Sequence, residues 1–188
     1  MVNCGENGSC CENKGIEANE RKQNIILIGM PGSGKSTIGA QLANILKMNF
    51  IDTDEIIRKN IKKDLKDLVN EAGTEAFLDI QEKCIKEFIM KQDVKNTVIA
   101  TGGSVVYSES LMNCFKENGI VIFLKSDIKE LSDRMGRGRR LARNNNQTIL
   151  EVYNERLPLY NKYSDVVIDC VKKDIDYIVN KIIKKLNS

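Results

Sequence analysis

The chain has 188 residues, of which 41% are hydrophobic and 29% are charged, and these values suit one compact globular domain. Its formal net charge of +3 is too small to indicate nucleic-acid or membrane-surface binding, and no apolar run is long enough to span a bilayer. The absence of histidine excludes histidine bases, histidine metal ligands and histidine-based triads. We expect a cytoplasmic monomer or weak dimer with small-molecule partners, no nucleic acid and no membrane.

Residues 1–22 are polar and rich in Gly, Asn, Ser and Glu, and they predict a disordered leader. Three of the six cysteines fall there, at Cys4, Cys10 and Cys11. Clustered thiols can bind a soft metal, but no fourth ligand stands at a familiar spacing. A mobile tail is therefore the preferred interpretation, and residues 23–188 are predicted to form a single domain.

A predicted buried strand at 24–29 and a predicted helix at 35–47 flank the most informative motif. The run Gly-Met-Pro-Gly-Ser-Gly-Lys-Ser-Thr at 29–37 fits the pattern G-x-x-x-x-G-K-[ST]. Its glycines let main-chain N–H groups point at phosphate oxygens, and the helix adds the positive end of its dipole. The motif predicts a nucleoside triphosphate site in which Lys35 reaches the β- and γ-phosphates and Ser36 ligates Mg²⁺. The nucleotide-binding candidates are Gly29, Gly32, Ser33, Gly34, Lys35, Ser36 and Thr37.

A short predicted strand at 49–52 ends in the acidic pair Asp52 and Asp54. Two residues apart in an extended backbone, both carboxylates would project to the same side. One can face Mg²⁺ while the other meets a second substrate. Capping of the next helix is the alternative, and both roles can hold. Helices are predicted at 54–61, 64–71 and 74–91, the last with an apolar face formed by Phe77, Ile80, Cys84 and Phe88.

A further buried strand is predicted at 97–101 and closes on Gly102 and Gly103. The carboxyl end of this strand should lie beside the phosphate loop, where paired glycines let a ligand approach the backbone closely. A plain turn is the alternative. A helix at 109–117 follows, with Gly119 predicted as its C-terminal glycine cap. A strand at 120–124 and a helix at 127–134 come next.

Residues 135–147 predict a basic loop, and the segment 134–143 carries five arginines and no acidic residue. A solvated charge run and a nucleic-acid patch are alternatives to a lid that closes over the nucleotide and brings guanidinium groups to the transferring phosphoryl. The helix predicted at 148–160 should be ended or kinked by Pro158. It carries Arg156, which can grip a carboxylate or phosphate. A strand at 166–168 and a helix at 173–186 complete an alternating α/β order, which predicts a parallel sheet covered on both faces.

Taken in this order, the segments resemble the shikimate kinase family, small P-loop kinases similar to nucleoside-monophosphate kinases. The resemblance runs from about residue 24 to 186 and is carried by 29–37, 50–54, 71–77, 98–103, 138–139 and 156–160. It implies a three-layer α/β/α fold with a five-stranded parallel sheet of order 2-3-1-4-5. It also implies a substrate subdomain after the second strand and an arginine-bearing lid.

The resemblance further implies ATP-dependent phosphorylation of shikimate to shikimate 3-phosphate, with Mg²⁺ served by Ser36 and Asp52. Asp54 would hold the ring hydroxyls and assist deprotonation of the attacking one. The remaining residues that it implies are Gly102, Gly103 and Arg156 at the acceptor site, and Arg134 and Arg139 at the nucleotide. Lys35, Asp54 and Arg139 would carry the catalysis.

Several positions depart from the family pattern. The family's arginine for the acceptor carboxylate is replaced by Leu78, a nearby glutamate by Thr74, and a third glycine by Ser104. Losing a paired guanidinium from a carboxylate site costs affinity unless Arg140 or Arg143 of the lid compensates. Three hypotheses stay open: a shikimate kinase, a kinase of another hydroxylated acid such as homoserine, and a catalytically silent nucleotide-binding regulator. The carboxylates and the lid argue against the regulator.

Overall fold

The computed structural model describes residues 24–62, 65–135 and 147–187. The predicted leader and most of the predicted lid, residues 136–146 with Arg139, lie outside the described residues. The strands are β1 Asn24–Ile28, β2 Asn49–Asp52, β3 Thr97–Ala100, β4 Gly119–Lys125 and β5 Val166–Asp169. The helices in the described ranges are α1 Lys35–Leu46, α2 Thr53–Ile61, α3 Leu65–Gln92, α4 Glu109–Asn118, α5 Ile128–Met135, α6 Ile149–Tyr163 and α7 Ile175–Leu186. A 3-10 turn, Val105–Tyr107, follows β3.

The five strands form one parallel sheet in the order β2-β3-β1-β4-β5, which confirms the predicted topology. Every residue of β1 is buried, as expected for a central strand that is covered on both faces. Because parallel strands share one direction, the carboxyl ends of β1, β2 and β3 meet at the same edge of the sheet. That edge carries the phosphate-loop motif, the acidic pair and the paired glycines.

Two hydrophobic cores cover the two faces of the sheet. Alternate residues of β1 contribute to each, with Ile26 in one core and Leu27 in the other, as the strand period of two requires. The first core is closed mainly by α3, α4 and α6, and the second by α1 and α7. The result is a three-layer α/β/α domain. Among the described residues, no helix is long and apolar enough to cross a bilayer.

The two helices predicted around residue 73 appear as the single element α3, interrupted at Gly73. This glycine has φ 83° and ψ 172°, so the chain changes direction there rather than continuing as a helix. The predicted apolar face of the second part is confirmed at Phe77, but its other members, Ile80, Cys84 and Phe88, are only half-buried and lie one position from the buried residues. The buried stripe consists of Phe77, Gln81, Ile85 and Ile89.

The structure tests two predictions about helix ends. Gly119 stands at the C-cap of α4 as predicted, but its φ of −175° is extended rather than left-handed, because it is also the first residue of β4. A Cβ at this position would lie 2.3 Å from Ile26 Cδ1, so the glycine is required by the close approach of β1. Pro158 does not end its helix, because α6 continues to Tyr163. The buried rings of Tyr160 and Tyr163 anchor the last turn to the core.

Candidate active site

The loop between β1 and α1 has the backbone conformation that its glycines allow. Gly29, Gly32 and Gly34 adopt φ values of 144°, 84° and 89°, which residues other than glycine rarely adopt. The loop is closed by a hydrogen bond from Ser33 N–H to the Met30 carbonyl at 3.1 Å. This conformation gives the curled main chain that a phosphate-binding loop needs.

Lys35 is the first residue of α1, and its side chain lies back over the loop. Its Nζ donates hydrogen bonds of 2.8 Å to the carbonyl oxygens of both Gly29 and Met30, and one of 3.4 Å to Ser33 Oγ. Only 7% of the residue is exposed. The ammonium group is therefore held at the loop as the motif predicts.

Ser36 and Asp52 meet across the ends of α1 and β2. The hydroxyl of Ser36 donates to Asp52 Oδ2 at 2.6 Å, and Asp52 Oδ1 accepts from Asp54 N–H at 2.9 Å. Asp52 thus caps α2, which confirms the capping alternative, and it also contacts Ser36. The predicted role of the acidic pair towards Mg²⁺ and a second substrate stays a prediction. Thr37 is exposed on the next position of α1.

Asp54 lies beside the paired glycines after β3. A Cβ placed on Gly102 would be 2.8 Å from Asp54 Oδ1 and 2.9 Å from Gln81 Nε2, so the carboxylate and the amide converge on this glycine. The N–H of Gly102 donates to the hydroxyl of Thr53, which is buried at the start of α2. The acidic pair and the glycine pair are therefore joined directly.

Gly103 connects the phosphate loop to α6. A Cβ on this residue would lie 2.4 Å from Pro31 Cδ, a distance that no side chain could occupy without moving the loop. Its carbonyl oxygen accepts a hydrogen bond of 2.6 Å from the hydroxyl of Tyr160. The ring of Tyr160 stacks on Phe123 of β4, with the ring centroids 4.9 Å apart. Burial raises the pKa of Tyr160, so its hydroxyl stays protonated and acts as a donor.

Arg156 lies one helical turn before Tyr160, and only 1% of it is exposed. Its Nε donates to the hydroxyl of Tyr107 at 3.1 Å, and its Cζ lies 4.9 Å from the centroid of the same ring. Burial raises the pKa of Tyr107 above its ordinary value, so this phenol too remains neutral. A buried guanidinium with such a neighbour is suited to binding an anion.

Two arginines, Arg134 and Arg139, were predicted to bind the nucleotide. Arg134 stands in the last turn of α5, where it is exposed and pairs with Glu130 at 3.2 Å. Arg139 falls outside the described residues, so its predicted contact with phosphate stays a prediction.

Three residues at this edge had no predicted role: Gln81, Tyr107 and Tyr160. A signal existed for Gln81, because a polar side chain in the four-residue stripe of α3 interrupts an apolar face. Its Oε1 accepts from Ser104 Oγ at 3.0 Å, and its buried Nε2 has no hydrogen-bond partner among the described residues. A signal also existed for Tyr160, which follows Arg156 by four residues on one helix face. Nothing local pointed to Tyr107.

Comparisons with known proteins agree with this architecture. The family model described as shikimate kinase matches residues 31–187. Shikimate kinase 1 of Escherichia coli O139:H28 is 37% identical over 172 residues, which cover 89% of this chain and 98% of the relative. The chain belongs to the shikimate kinase family. Members of this family are phosphotransferases that act on an alcohol acceptor and use ATP as co-substrate.

Solved structures of the family superpose on the described fold. Shikimate kinase from Acinetobacter baumannii in complex with shikimate has a TM-score of 0.79 at 26% identity, covering 87% of this chain and 92% of that one. Shikimate kinase from Aquifex aeolicus has a TM-score of 0.71 at 27% identity, covering 87% and 96%. The P-loop kinase fold that the sequence predicts is therefore confirmed.

Proposed function

We propose that this protein transfers the γ-phosphoryl group of ATP to a ring hydroxyl of shikimate, giving shikimate 3-phosphate and ADP. The observation that supports this proposal is the position of the paired glycines after β3: Gly102 lies beside Asp54, and Gly103 contacts Pro31 of the phosphate loop and Tyr160 of α6. In a family of alcohol phosphotransferases, the three charged side chains that we assign to these segments are Lys35, Asp54 and Arg156. These are the groups that the reaction needs: a cation for phosphate, a carboxylate for the hydroxyl and a cation for the acceptor's carboxylate.

The loop 29–37 is assigned to the triphosphate. Its main-chain N–H groups and the N-terminus of α1 favour phosphate oxygens, and the Lys35 ammonium neutralises charge on the β- and γ-phosphates. Lys35 now donates to two loop carbonyls, and phosphate oxygens are stronger acceptors for the same group. We assign Arg134 and Arg139 to the same phosphates from the lid side.

Ser36 and Asp52 fit a magnesium ion. Their facing hydroxyl and carboxylate oxygens are hard donors of the kind that Mg²⁺ prefers. No cluster of three or more carboxylates or thiols forms a metal cage within the described ranges, and Mg²⁺ is commonly held by few protein groups together with substrate phosphates. When bound, the ion would neutralise charge on the phosphate oxygens.

Asp54, Gly102, Gly103 and Arg156 are assigned to the acceptor. Asp54 orients the attacking hydroxyl and accepts its proton as the oxygen bonds to the γ-phosphorus. The bond from that phosphorus to the bridging oxygen breaks, and its electron pair leaves with ADP. The bare backbone at Gly102 lets the ring approach Asp54, while Arg156 binds the carboxylate.

Leu78 supports a second candidate acceptor. The family's carboxylate-binding arginine is absent at this half-buried position, which would suit a different hydroxylated acid such as homoserine. A coupled assay for ADP release, run with Mg-ATP and each acid in turn, tests both. Stimulation by shikimate with kcat/KM at least about tenfold above homoserine supports the first proposal. A higher kcat/KM for homoserine than for shikimate would make homoserine the acceptor. Tight ATP binding without stimulation by any acid would reject the kinase activity.

A further inference from the structure

Arg156 presents a problem of orientation. A guanidinium that is 1% exposed has lost most of its water, and a buried charge is stable only where its N–H groups meet fixed partners. The carboxylate assigned to it requires two parallel N–H groups in one plane. Whatever fixes that plane therefore influences how well the acceptor binds.

Tyr107 fixes the guanidinium in two independent ways. Its hydroxyl accepts the Nε hydrogen bond at 3.1 Å, which sets the direction of the group. Its ring lies 4.9 Å from Cζ, a cation–π distance that restrains the tilt of the plane. The same hydroxyl also interacts with the carboxylate of Glu155, so the phenol links an acid to the arginine. The guanidinium also interacts with the hydroxyl of Tyr160, so Arg156 is restrained by tyrosines from two segments of the chain.

The position of Tyr107 ties this restraint to the rest of the site. It ends the 3-10 turn that begins two residues after Gly103, and the Gly103 carbonyl accepts from Tyr160 on α6. The helix that carries Arg156 is therefore joined to the glycine segment at two points one turn apart. One of these points includes the arginine itself.

We propose that Tyr107 is a positioning residue that holds Arg156 in the orientation that binds the acceptor's carboxylate. This inference rests on the proposed function. Because Leu78 removes one guanidinium of the family pattern, Arg156 carries a larger share of carboxylate binding, and its orientation matters correspondingly more. Tyr107 acts on acceptor affinity and does not contact the transferring phosphoryl.

Steady-state kinetics of Tyr107→Phe and Tyr107→Leu test the inference, with shikimate and its uncharged methyl ester as acceptors. The phenylalanine variant keeps the ring and should raise KM for shikimate about threefold, whereas the leucine variant should raise it about tenfold or more. The KM for ATP, kcat at saturating shikimate and kcat/KM for the ester should stay within about twofold. A general structural defect would instead lower kcat and kcat/KM for the ester and raise KM for ATP.

Two controls separate this role from other effects. Tyr177→Leu removes a tyrosine ring on α7 that lies 4.9 Å from the Lys173 ammonium, and it should leave KM for shikimate unchanged. In an Arg156→Ala background, Tyr107→Phe should add no further increase, because the residue acts through the arginine. Circular dichroism checks that each variant is folded.

The outcomes are distinct. If the wild-type chain does not phosphorylate shikimate, the proposed function fails and this inference falls with it. If the wild type is active but Tyr107→Phe and Tyr107→Leu both leave KM for shikimate unchanged, only the inference is overturned. Equal losses with the ester, or full additivity with Arg156→Ala, would also overturn it.

Discussion

At the scale of single residues, the proposed site contains two pairs of like-charged side chains, and the members of each pair contact different groups. Lys35 and Arg156 are both buried, yet one lies over the phosphate loop and the other beside Tyr107. Asp52 and Asp54 differ in the same manner, since the first contacts Ser36 and the second approaches Gly102. Variants of each pair should therefore separate nucleotide effects from acceptor effects.

Lys35→Ala should abolish phosphoryl transfer and leave the fold intact. Removing the ammonium leaves charge on the transferring phosphoryl uncompensated, and a loss of about a thousandfold or more in kcat/KM is expected. The coupled ADP assay measures it. Lys91→Ala, which removes an exposed lysine that pairs with Glu87, serves as the matched control and should retain full activity. An active Lys35→Ala enzyme would contradict the site assignment.

Asp54→Asn should lower kcat far more than it lowers affinity for ATP. The amide keeps the shape of the side chain but cannot accept the hydroxyl proton, so a loss of about 10²–10⁴-fold in kcat is expected. Asp52→Asn is the informative comparison, because it should instead raise the magnesium concentration needed for half-maximal rate. Nucleotide titration by calorimetry gives the affinities. Equal losses in kcat and ATP affinity for Asp54→Asn would move this residue to the metal.

Leu78→Arg should lower KM for shikimate, since it restores a guanidinium at the position where the family carries one. A charge-assisted contact with the carboxylate predicts a decrease of about tenfold. Leu78→Met, which keeps an apolar side chain of similar volume, should leave KM nearly unchanged. An unchanged or higher KM in the arginine variant would count against shikimate as the acceptor.

At the scale of elements, features set by a local sequence motif were predictable, whereas features set by tertiary contacts were not. The strand β1, the loop after it and the start of α1 were predictable because one contiguous motif specifies them. The sequence allowed two stripes on α3, one through Ile80 and one through Gln81, and the contact of Gln81 with Ser104 identifies the second. Gly119 was predicted at the correct position, but its extended conformation was not, since the close approach of β1 is invisible in the sequence around it.

Gly119→Ala should therefore destabilise the protein by overpacking. The new methyl group would lie 2.3 Å from Ile26 Cδ1 and 2.6 Å from the Asn24 carbonyl oxygen, at the junction of two central strands. A loss of about 1–3 kcal/mol in the free energy of unfolding is expected. Gly73→Ala provides the contrast, because a Cβ built there would meet no atom within 4 Å among the described residues beyond its own stretch of helix, and backbone strain at φ 83° opposes the change. Urea unfolding compares them, and a smaller loss for Gly119→Ala would refute the packing explanation.

At the scale of the whole molecule, the sheet and its two cores were predictable from the alternation of apolar strands and helices. The proposed acceptor site was less predictable, because the residues assigned to it come from α2, α3, α6 and the turn after β3. The residues themselves suggested a second substrate near the acidic pair, a ligand close to Gly102 and an anion at Arg156, and the family resemblance joined them into one predicted site. Tyr107 emerged only when the packed helices were seen together.

Cys170 should report the unfolding of the entire domain. Its side chain is 2% exposed in the second core, and burial, with a smaller contribution from Asp169, raises the pKa of its thiol to about 12. At pH 8 only about one thiol in ten thousand is then the reactive thiolate, whereas the unfolded chain has a thiol pKa near 8.5. Alkylation at Cys170, followed by peptide mass spectrometry, should rise with urea in step with loss of helical signal. Labelling well below that transition would contradict it.

The contact of Gly103 with Pro31 on one side and Tyr160 on the other has a thermodynamic consequence. Where this shared segment couples the proposed nucleotide and acceptor subsites, each ligand alters the binding free energy of the other by the same amount. The factor by which ATP changes the affinity for the acceptor must therefore equal the factor by which the acceptor changes the affinity for ATP. Synergy between the substrates would thus be a property of this single interface.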